Sequence, residues 1–372
     1  MLLRGAACAV MPRRMQASSR SIARTNPGFA FVGSASGAIH VVRVEDGRLQ
    51  EIQRIASRSP AHLAIHPDGK FLLAANAVHE HDGLPQATLE TYSLGQRSGC
   101  LNLCSRQALS LSATDARHFA ITPDGQHVAV AAYAGGLYNV LPIGADGVLG
   151  LVTSIRKEVG CGPVTTHQAS AHPHTLQFDP SGQYLVGTDF GADRLNVLAL
   201  IGGKLVRHAH VQLPAGAGPA SVVFHPSGSF FYVAHALTGH VFCYQFQASE
   251  KRISSTSAPV AVLPVIAPET GTILAMHADG RFLYGSGPNP GFISCYAVDE
   301  QSGALAKVEE IRVAGGAIHS LTSTSGYLHI VDRSGSRIHT LKLNRNGAGF
   351  AGKSHSFAIE EPMSLALLPA TS

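Results

Sequence analysis

A phrase of about ten residues recurs six times along the chain and constrains its fold more than any other feature. In the clearest copies a polar residue is followed by Pro, by Asp or Ser, by Gly and then by an apolar run, as in 66–75 and 122–131. The glycines of the six copies lie at positions 69, 125, 182, 228, 280 and 326, so they are 46 to 57 residues apart. Repeats of about 40 to 50 residues that hold several strands each are typical of a β-propeller.

Each copy of the phrase predicts a turn between two strands. Pro presets φ for a turn, and Asp-Gly or Ser-Gly supplies the left-handed position. Apolar runs lie on both sides of the turn, as in 62–65 and 71–75, so the pattern indicates a β-hairpin. Because these runs are apolar at nearly every position, we expect their strands to be covered on both faces. A third and a fourth strand follow, for example at 195–200 and 303–308.

The two ends of the chain supply the halves of one further repeat. The run 29–44 resembles the second half of a repeat, and 363–369 resembles a first half. Joined, they complete a seventh blade and remove the exposed sheet edges that a linear array would leave. The sequence therefore predicts an all-β, seven-bladed propeller over 28–372, with N- and C-terminal strands closing one blade, after an extension over 1–27.

Charge and composition limit the partners. The formal net charge is +4, but five arginines lie before residue 28 in a segment without acids. Without them, 23 basic residues stand against 24 acidic ones, so the remainder carries −1. It has no basic stripe of the kind that nucleic-acid binding uses, and no apolar run approaches transmembrane length. We therefore expect no nucleic-acid partner, no membrane partner, and a monomer or weak oligomer.

The cysteines and the N-terminal extension bear on location. The six cysteines are dispersed and nothing in their spacing demands disulfides, which favours a reducing compartment and hence the cytoplasm. The extension over 1–27 is rich in Arg and Ser and has no acid, so a mitochondrial transit peptide is the alternative to a disordered tail.

The stretch 160–195 carries information beyond architecture. It contains Gln168, then His172-Pro173-His174, and then a segment from Asp189 to Arg194 that reads Asp-Phe-Gly-Ala-Asp-Arg. With these elements the chain resembles the seven-bladed propeller lactonase family, which includes a 6-phosphogluconolactonase and is related to fungal 3-carboxymuconate lactonizing enzymes. The resemblance covers roughly residues 28–370. It implies the propeller fold and the hydrolysis of a sugar lactone.

Three positions depart from the pattern of that family. Where the family usually has charged residues, this chain has Ala220, Ala236 and Pro288. In the lactonizing relatives an Arg, a Glu and a second Arg at about these positions are implicated in the chemistry, together with a His. Because anionic ligands are best held by Arg, the departures predict a preference for a neutral or singly charged lactone over its 6-phosphate.

Lactone hydrolysis needs a base that activates water and donors that stabilise an oxyanion. A neutral His can act as the base near pH 7, and the resemblance points to His174, with His172 as the other catalytic candidate. Side chains alternate along an extended His-Pro-His segment, so both cannot face the channel in the same way. The expected substrate-binding residues are His118, Tyr133, Gln168, Asp189, Arg194 and His235.

Two further histidines take positions that correspond to that of His118. His62 lies one blade earlier, and His319 lies in the sixth repeat. Propeller symmetry would bring such residues toward one end of the channel. Three of them could bind zinc, but their spacing supports this no better than chance, so we expect no metal and no cofactor.

The leading functional hypothesis is an enzyme that hydrolyses a lactone by His-assisted water attack, with a small-molecule lactone or sugar acid as its partner. No nucleophile-elbow motif supports a covalent serine mechanism. Two alternatives stay open. One is a lactonizing cycloisomerase for carboxymuconate-type acids. The other is a catalytically degenerate propeller that serves as a ligand-binding or scaffold protein.

Overall fold

The computed structural model describes residues 28–45, 48–247, 250, 252–255, 259, 261–262, 273–286, 291–313, 318–324, 326–344, 347–351 and 355–368. The extension 1–27 and Pro288, on which two expectations fall, lie outside these residues. The regular structure is β apart from one helical turn, α1 (Thr165–Gln168). No helix in the described part of the chain is long and apolar enough to cross a membrane.

Seven sheets form a ring, as the repeats predict. Their strands are β1 (Gly28–Ser34), β2 (Ala38–Glu45), β3 (Arg48–Ala56), β4 (Pro60–Ile65), β5 (Phe71–Asn76), β6 (Thr88–Leu94), β7 (Leu101–Ala108), β8 (Ala116–Ile121), β9 (His127–Ala132), β10 (Leu137–Pro142), β11 (Ser154–Lys157), β12 (Pro173–Phe178), β13 (Leu185–Asp189), β14 (Arg194–Ile201), β15 (Lys204–Gln212), β16 (Pro219–Phe224), β17 (Phe230–His235), β18 (His240–Gln247), β19 (Arg252–Ser255), β20 (Ala261–Val262), β21 (Leu274–Met276), β22 (Phe282–Ser286), β23 (Phe292–Val298), β24 (Leu305–Arg312), β25 (Ser320–Ser323), β26 (Tyr327–Asp332), β27 (Arg337–Lys342), β28 (His355–Ala358) and β29 (Pro362–Leu368).

The blades follow one another along the chain. Strands β4–β7 form blade 1, β8–β11 blade 2, β12–β15 blade 3, β16–β20 blade 4, β21–β24 blade 5 and β25–β28 blade 6. Blade 7 has the order β29-β1-β2-β3, so its innermost strand comes from the C-terminal end of the chain and the other three from the N-terminal end. The predicted closure of the ring by both ends is therefore confirmed.

The innermost strands of neighbouring blades contact one another around the whole ring. The second strands are covered on both faces, as their apolar runs predict, and all six residues of β5 are buried. Some of the innermost strands differ from this expectation, most clearly β4 and β8. In β4 only Pro60 and Leu63 are buried and the other residues are partly exposed, because one side of the strand faces the central channel.

Hydrogen bonds between blades hold the channel wall in place. The Nε2–H of His66 donates to the carbonyl oxygen of Gly125 in the next turn at 2.8 Å. The buried hydroxyls of Tyr232 and Tyr284 donate to the carbonyl oxygens of Gly303 and Gly347, each at 2.8 Å. Because buried polar groups are paired in this way, these bonds fix blade 1 to blade 2, blade 4 to blade 5 and blade 5 to blade 6.

Candidate active site

A cavity of about 630 Å³ lies at the centre of the ring, and all seven blades contribute to its wall. Cavities of this size accommodate small ligands. Its wall is asymmetric. Among the described residues, blades 4 and 5 line it with the apolar side chains of Val222, Val223 and Leu274. Blades 1, 2, 3 and 6 supply the titratable residues, which are His62, His79, Asp115, Arg117, His118, His174, His319 and Arg333.

An irregularity near the start of several innermost strands places side chains toward this cavity. The pairing with the second strand slips at Pro60/His62 in β4, Ala116/His118 in β8, Pro173/Leu176 in β12 and Pro219/Ser221 in β16. Such bulges bend a strand and re-aim its side chains. Because the slip recurs at the same point of blades 1 and 2, His62 and His118 reach the same level of the channel.

His62 and His118 form a stacked pair. Their ring centroids are 3.9 Å apart. Burial lowers the pKa of His62 to about 4. It also lowers the pKa of His118 well below its usual range, with further contributions from the nearby His62 and His174. Both rings are therefore neutral at pH 7 although they keep partial contact with the channel.

The tautomer of His118 follows from one hydrogen bond. The backbone N–H of Leu176 donates to His118 Nδ1 at 3.4 Å. In a neutral imidazole one nitrogen accepts and the other carries the proton. The proton of His118 therefore lies on Nε2, and this ring offers an N–H donor rather than a base.

His174 lies on the wall next to this pair and is 5% exposed. Its Nδ1 is 3.1 Å from the hydroxyl oxygen of Thr175. The Thr175 hydroxyl in turn donates to the carbonyl oxygen of Ala220 at 2.5 Å. Since that hydroxyl has a single proton, its oxygen accepts from His174 Nδ1–H, and Nε2 is the only nitrogen of this ring that can accept a proton.

His172 and Tyr133 lie behind the wall. The Nδ1–H of His172 donates to the carbonyl oxygen of Tyr133 at 2.9 Å, and the two rings stack with centroids 4.5 Å apart. His172 does not line the cavity whereas His174 does, in accord with the expected alternation. The Tyr133 ring also carries the guanidinium carbon of Arg117 at 3.9 Å from its centroid and meets His174 edge-on at 5.7 Å. Tyr133 therefore supports two groups of the cavity from outside it.

Two guanidinium groups line the cavity. Arg117 forms an ion pair with Asp115 at 2.9 Å. Arg333 follows β26 and reaches the same cavity from blade 6. Both lie close enough to His319 for their charges to act on it, since the pKa of His319 falls to about 4 through burial and then through Arg333 and Arg117. The cavity therefore combines neutral imidazoles with cationic groups.

Gln168, Asp189 and Arg194, which were expected to bind substrate, do not line this cavity. The Gln168 side chain is fully buried and donates to the carbonyl oxygen of Phe190 and to Asp193 at 2.8 and 2.6 Å. Asp189 accepts from the backbone N–H of His172 at 2.8 Å and pairs with Arg194 at 3.0 Å. These contacts hold the loops around β12 and β13, so the three residues support the cavity wall without facing it.

His235 also lies away from the cavity. Its Nε2 is 3.1 Å from the hydroxyl of Tyr244, and its ring stacks on Phe242 with centroids 4.7 Å apart. Burial lowers its pKa to about 4, so it supplies no cation at neutral pH. Within the described ranges no group of three His, Cys, Asp or Glu side chains could hold a metal ion.

Sequence reasoning did not single out Asp115 or Arg333 as site residues. Arg333 lies just after the weakest copy of the repeat, where the alignment of blades is least secure. Its position within the blade is the sequence signal that could have identified Arg333. Arg333 directly follows the second strand of its blade, as Tyr133 and Ala236 follow theirs.

Known proteins share the fold of this chain and identify its family. A family model described as lactonase, 7-bladed beta-propeller, matches residues 29–367. The 6-phosphogluconolactonase of Bacillus subtilis is 27% identical over 69% of this chain and 72% of its own length. The 6-phosphogluconolactonase of Serratia proteamaculans is 25% identical over 84% of this chain and 94% of its own length.

Two solved structures share the propeller. A periplasmic gluconolactonase of Pseudomonas aeruginosa matches with a TM-score of 0.80 at 24% identity, over 93% of this chain and all of that one. A protein of Lactobacillus plantarum matches with a TM-score of 0.79 at 18% identity, over 92% of this chain and all of that one. At such identities the likeness shows the fold. Because the family model spans most of the sequence, this chain belongs to the lactonase family of seven-bladed β-propellers.

Proposed function

We propose that this protein hydrolyses a sugar lactone and that His174 is the base that activates the attacking water. Family membership and the relatives named 6-phosphogluconolactonase support lactone chemistry. The observation that carries the proposal is the central cavity, where neutral imidazoles lie beside guanidinium groups. A base and a set of cationic or N–H donors are the two requirements of water attack on an ester carbonyl.

In this mechanism the lactone carbonyl lies between His118 and His174. His174 takes a proton from water as the water oxygen attacks the carbonyl carbon, and negative charge develops on the carbonyl oxygen. The Nε2–H of His118 and the guanidinium of Arg117 are the donors for this oxyanion. When the intermediate collapses, the ring C–O bond breaks, and protonated His174 returns the proton to the leaving alkoxide. The product is the open sugar acid.

A panel of lactones in a pH-stat assay tests the proposal. We expect acid release above the uncatalysed rate for at least one sugar lactone. A rate indistinguishable from background on gluconolactone, its 6-phosphate and related sugar lactones would reject it.

One observation favours a second candidate, a propeller that binds its ligand without catalysis. Ala220 and Ala236 are each 1% exposed within an apolar cluster, so these two positions of blade 4 offer no charge to the cavity. Retained binding of a sugar acid together with a silent lactone panel would select this candidate. Following the absorbance of a carboxymuconate substrate in the same experiment tests the lactonizing alternative.

The hydroxyl of Thr175 gives a prediction on catalysis. Replacing Thr175 with Val removes the acceptor of His174 Nδ1–H, so the imidazole loses the contact that fixes its tautomer and orientation. We expect kcat to fall about 10- to 100-fold, the range seen when a partner behind a functional His is removed, with little change in KM. Thr175→Ser keeps the hydroxyl and should retain most of the activity.

Thr188 provides a matched control. Its hydroxyl accepts from the backbone N–H of Thr175 at 3.0 Å and donates to Ala220 at 3.4 Å, so it shares the buried environment without contacting His174. Thr188→Val should therefore lower stability comparably while leaving kcat near that of the parent. Equal losses of kcat in Thr175→Val and Thr188→Val would mean that Thr175 acts only through packing.

A further inference from the structure

Asp115 is the one described residue that lines the central cavity with a carboxylate. Its side chain is 9% exposed and pairs with the guanidinium of Arg117. That pairing uses a single carboxylate oxygen, because Nε and an Nη of Arg117 both lie 2.9 Å from Oδ2. Within the described chain no group donates a hydrogen bond to Oδ1, and Oδ1 is not among the polar atoms sealed in the interior. This oxygen is therefore open to a ligand.

The backbone of Asp115 has a conformation that few residues with side chains adopt. Its φ is 58°, in the left-handed region where Asp and Asn are tolerated better than most other side chains. In blade 4 the corresponding residue, directly before the innermost strand, is Gly218 with φ 56°. Glycine takes such a φ without strain, whereas strained residues with side chains cluster at functional sites. The carboxylate at this place therefore indicates a role in ligand recognition.

The position of the carboxylate is fixed before a ligand arrives. The backbone N–H of Asp115 donates to the carbonyl oxygen of Val78 at 2.9 Å, and its carbonyl oxygen accepts from the backbone N–H of Tyr133 at 2.9 Å. The ring of Tyr133 also holds the guanidinium of Arg117 at 3.9 Å from its centroid. Because the backbone and the ion pair are both held, a ligand bound at Oδ1 has little ordering to impose on the protein.

The chemistry of the wall selects the kind of group that Oδ1 can bind. A carboxylate oxygen paired with a guanidinium is an acceptor, so its ligand must be a hydrogen-bond donor. A cationic donor such as an ammonium is opposed by the guanidinium groups of Arg117 and Arg333 in the same cavity. A neutral hydroxyl meets both conditions.

We propose that Asp115 determines substrate specificity by accepting a hydrogen bond at Oδ1 from a hydroxyl on the lactone ring, so that hydroxylated lactones are selected over unsubstituted ones. The inference rests on the proposed lactone hydrolysis at the same site. The lactone carbonyl then lies at His118 and His174, and a ring hydroxyl lies at Asp115. Asp189, the carboxylate that the sequence placed at the substrate, is fully buried, and Asp115 takes the role expected of it.

The test compares Asp115→Asn with the parent on two neutral lactones that have the same six-membered ring. Gluconolactone carries ring hydroxyls, whereas δ-valerolactone carries none. In the variant the amide oxygen faces the guanidinium, which directs the NH₂ group to the ligand and replaces an acceptor with a donor. We expect the ratio of kcat/KM for gluconolactone to that for δ-valerolactone to fall about 10- to 100-fold, the range for a hydrogen bond to a charged group.

This ratio separates specificity from catalysis. Arg117 is a donor to the oxyanion in the proposed mechanism, so a shift of its guanidinium lowers the rate on both lactones and leaves their ratio unchanged. An unchanged ratio in Asp115→Asn would therefore overturn the proposal even where both rates fall.

Glu361→Gln is the matched control. Glu361 directly precedes the innermost strand of blade 7, as Asp115 does in blade 2, and its φ is also positive, at 42°. Its side chain is exposed and does not line the cavity, so the variant makes the same change in net charge without altering the wall. It should keep the parental ratio, and an equal fall in this variant would contradict the proposal.

Asp115→Gly decides the question where Asp115→Asn folds poorly. Glycine adopts this φ without strain, as Gly218 does in blade 4, and it removes the carboxylate altogether. The ratio of kcat/KM should fall in this variant as well. A folded Asp115→Gly protein with the parental ratio would show that the carboxylate has no part in specificity.

Calorimetric binding of lactams separates this inference from the proposed function. Gluconolactam and δ-valerolactam have an N–H in place of the ring oxygen and resist hydrolysis. The parent should bind gluconolactam more tightly, and Asp115→Asn should lose that difference. A protein that hydrolyses no lactone would contradict the proposed function, while binding would still decide the role of Asp115. Equal affinities of the parent for both lactams would contradict that role even in an active lactonase.

Discussion

Replacing His174 with Ala is expected to lower kcat for lactone hydrolysis by about 10²- to 10⁴-fold, the usual contribution of a positioned general base. The reason is geometric. Nδ1 of His174 is engaged by Thr175, which leaves Nε2 to take a proton. The ring lies on the wall of the central cavity, and Nε2 itself is buried in that wall, so the attacking water has to enter beside the ring. His118 cannot substitute, because its Nδ1 already accepts from Leu176 and its other nitrogen carries the proton.

Two measurements separate the loss of a base from the loss of structure. Added imidazole should restore part of the rate of the Ala variant, since it can occupy the space left by the ring and accept the same proton. Thermal melts should show a folded variant, although the Tm will fall somewhat because His174 contacts Tyr133 and Phe190. A fully active His174→Ala variant would remove this residue from the mechanism.

The stacked neighbour of His118 supplies the competing assignment. His62 also lines the cavity and is neutral at pH 7. His62→Gln should cost less rate than His174→Ala, because no hydrogen bond like that of Thr175 holds a defined tautomer of His62 among the described residues. A larger loss of rate in His62→Gln than in His174→Ala would show that His62, in blade 1, is the base.

The fold could be predicted from the sequence because each blade repeats the same local chemistry. Pro with Asp-Gly or Ser-Gly makes a turn wherever it stands between apolar runs, so a single pattern read six times gives the architecture. The convergence of His62, His118 and His319 on one cavity follows from the same repetition, since corresponding positions of a closed ring face a common centre.

The roles of individual polar residues depend on partners that are distant in sequence. Gln168 looks like a pocket residue until Asp193 and Phe190 are seen to take up its amide. Arg194 is held by Glu158 as well as Asp189, at 3.0 Å each. Such pairings depend on how loops of different length meet, and no local pattern predicts them.

Charge at the cavity illustrates the same limit. The sequence shows that Ala220 and Ala236 lack the charges usual in the family, but it does not show which charges line the cavity. Arg117 and Arg333 supply cations from other blades. Arg117 corresponds to Ala220 in the bulge of the innermost strand, and Arg333 corresponds to Ala236 after the second strand. In a repeat fold, a lost functional group has to be sought at the corresponding position of every blade.

The free energy of unfolding of this protein is expected to fall strongly as the pH is lowered from 6.5 to 4. Three buried histidines, His235, His319 and His329, have pKa values of about 4 because burial disfavours their charged forms. In the unfolded chain they titrate near 6.5. Between these values the unfolded state binds more protons than the folded state, so stability falls as the pH falls from 6.5 to 4.

The size of the effect is comparable to the whole stability of a domain. A shift of this size costs about 3 kcal/mol for each histidine by pH 4, so the three together remove up to about 9 kcal/mol. Domains of this kind have a free energy of unfolding of about 5 to 15 kcal/mol. Denaturant titrations at pH 7.5, 6, 5 and 4 should therefore show a free energy of unfolding that falls by several kcal/mol across this range.

His329 isolates the cause, because it lies away from the cavity and contacts only Thr340 and Tyr327 among the partners that the structure gives it. His329→Gln removes one titrating group, so the free energy of unfolding should lose about 3 kcal/mol less between pH 7.5 and 4 than in the parent. His235→Gln, in blade 4, should reduce the loss of free energy of unfolding by a similar amount. It provides a second test if His329→Gln folds poorly. A parent whose stability is level from pH 7.5 to 5, or variants that keep the parental slope, would show that these imidazoles titrate alike in both states.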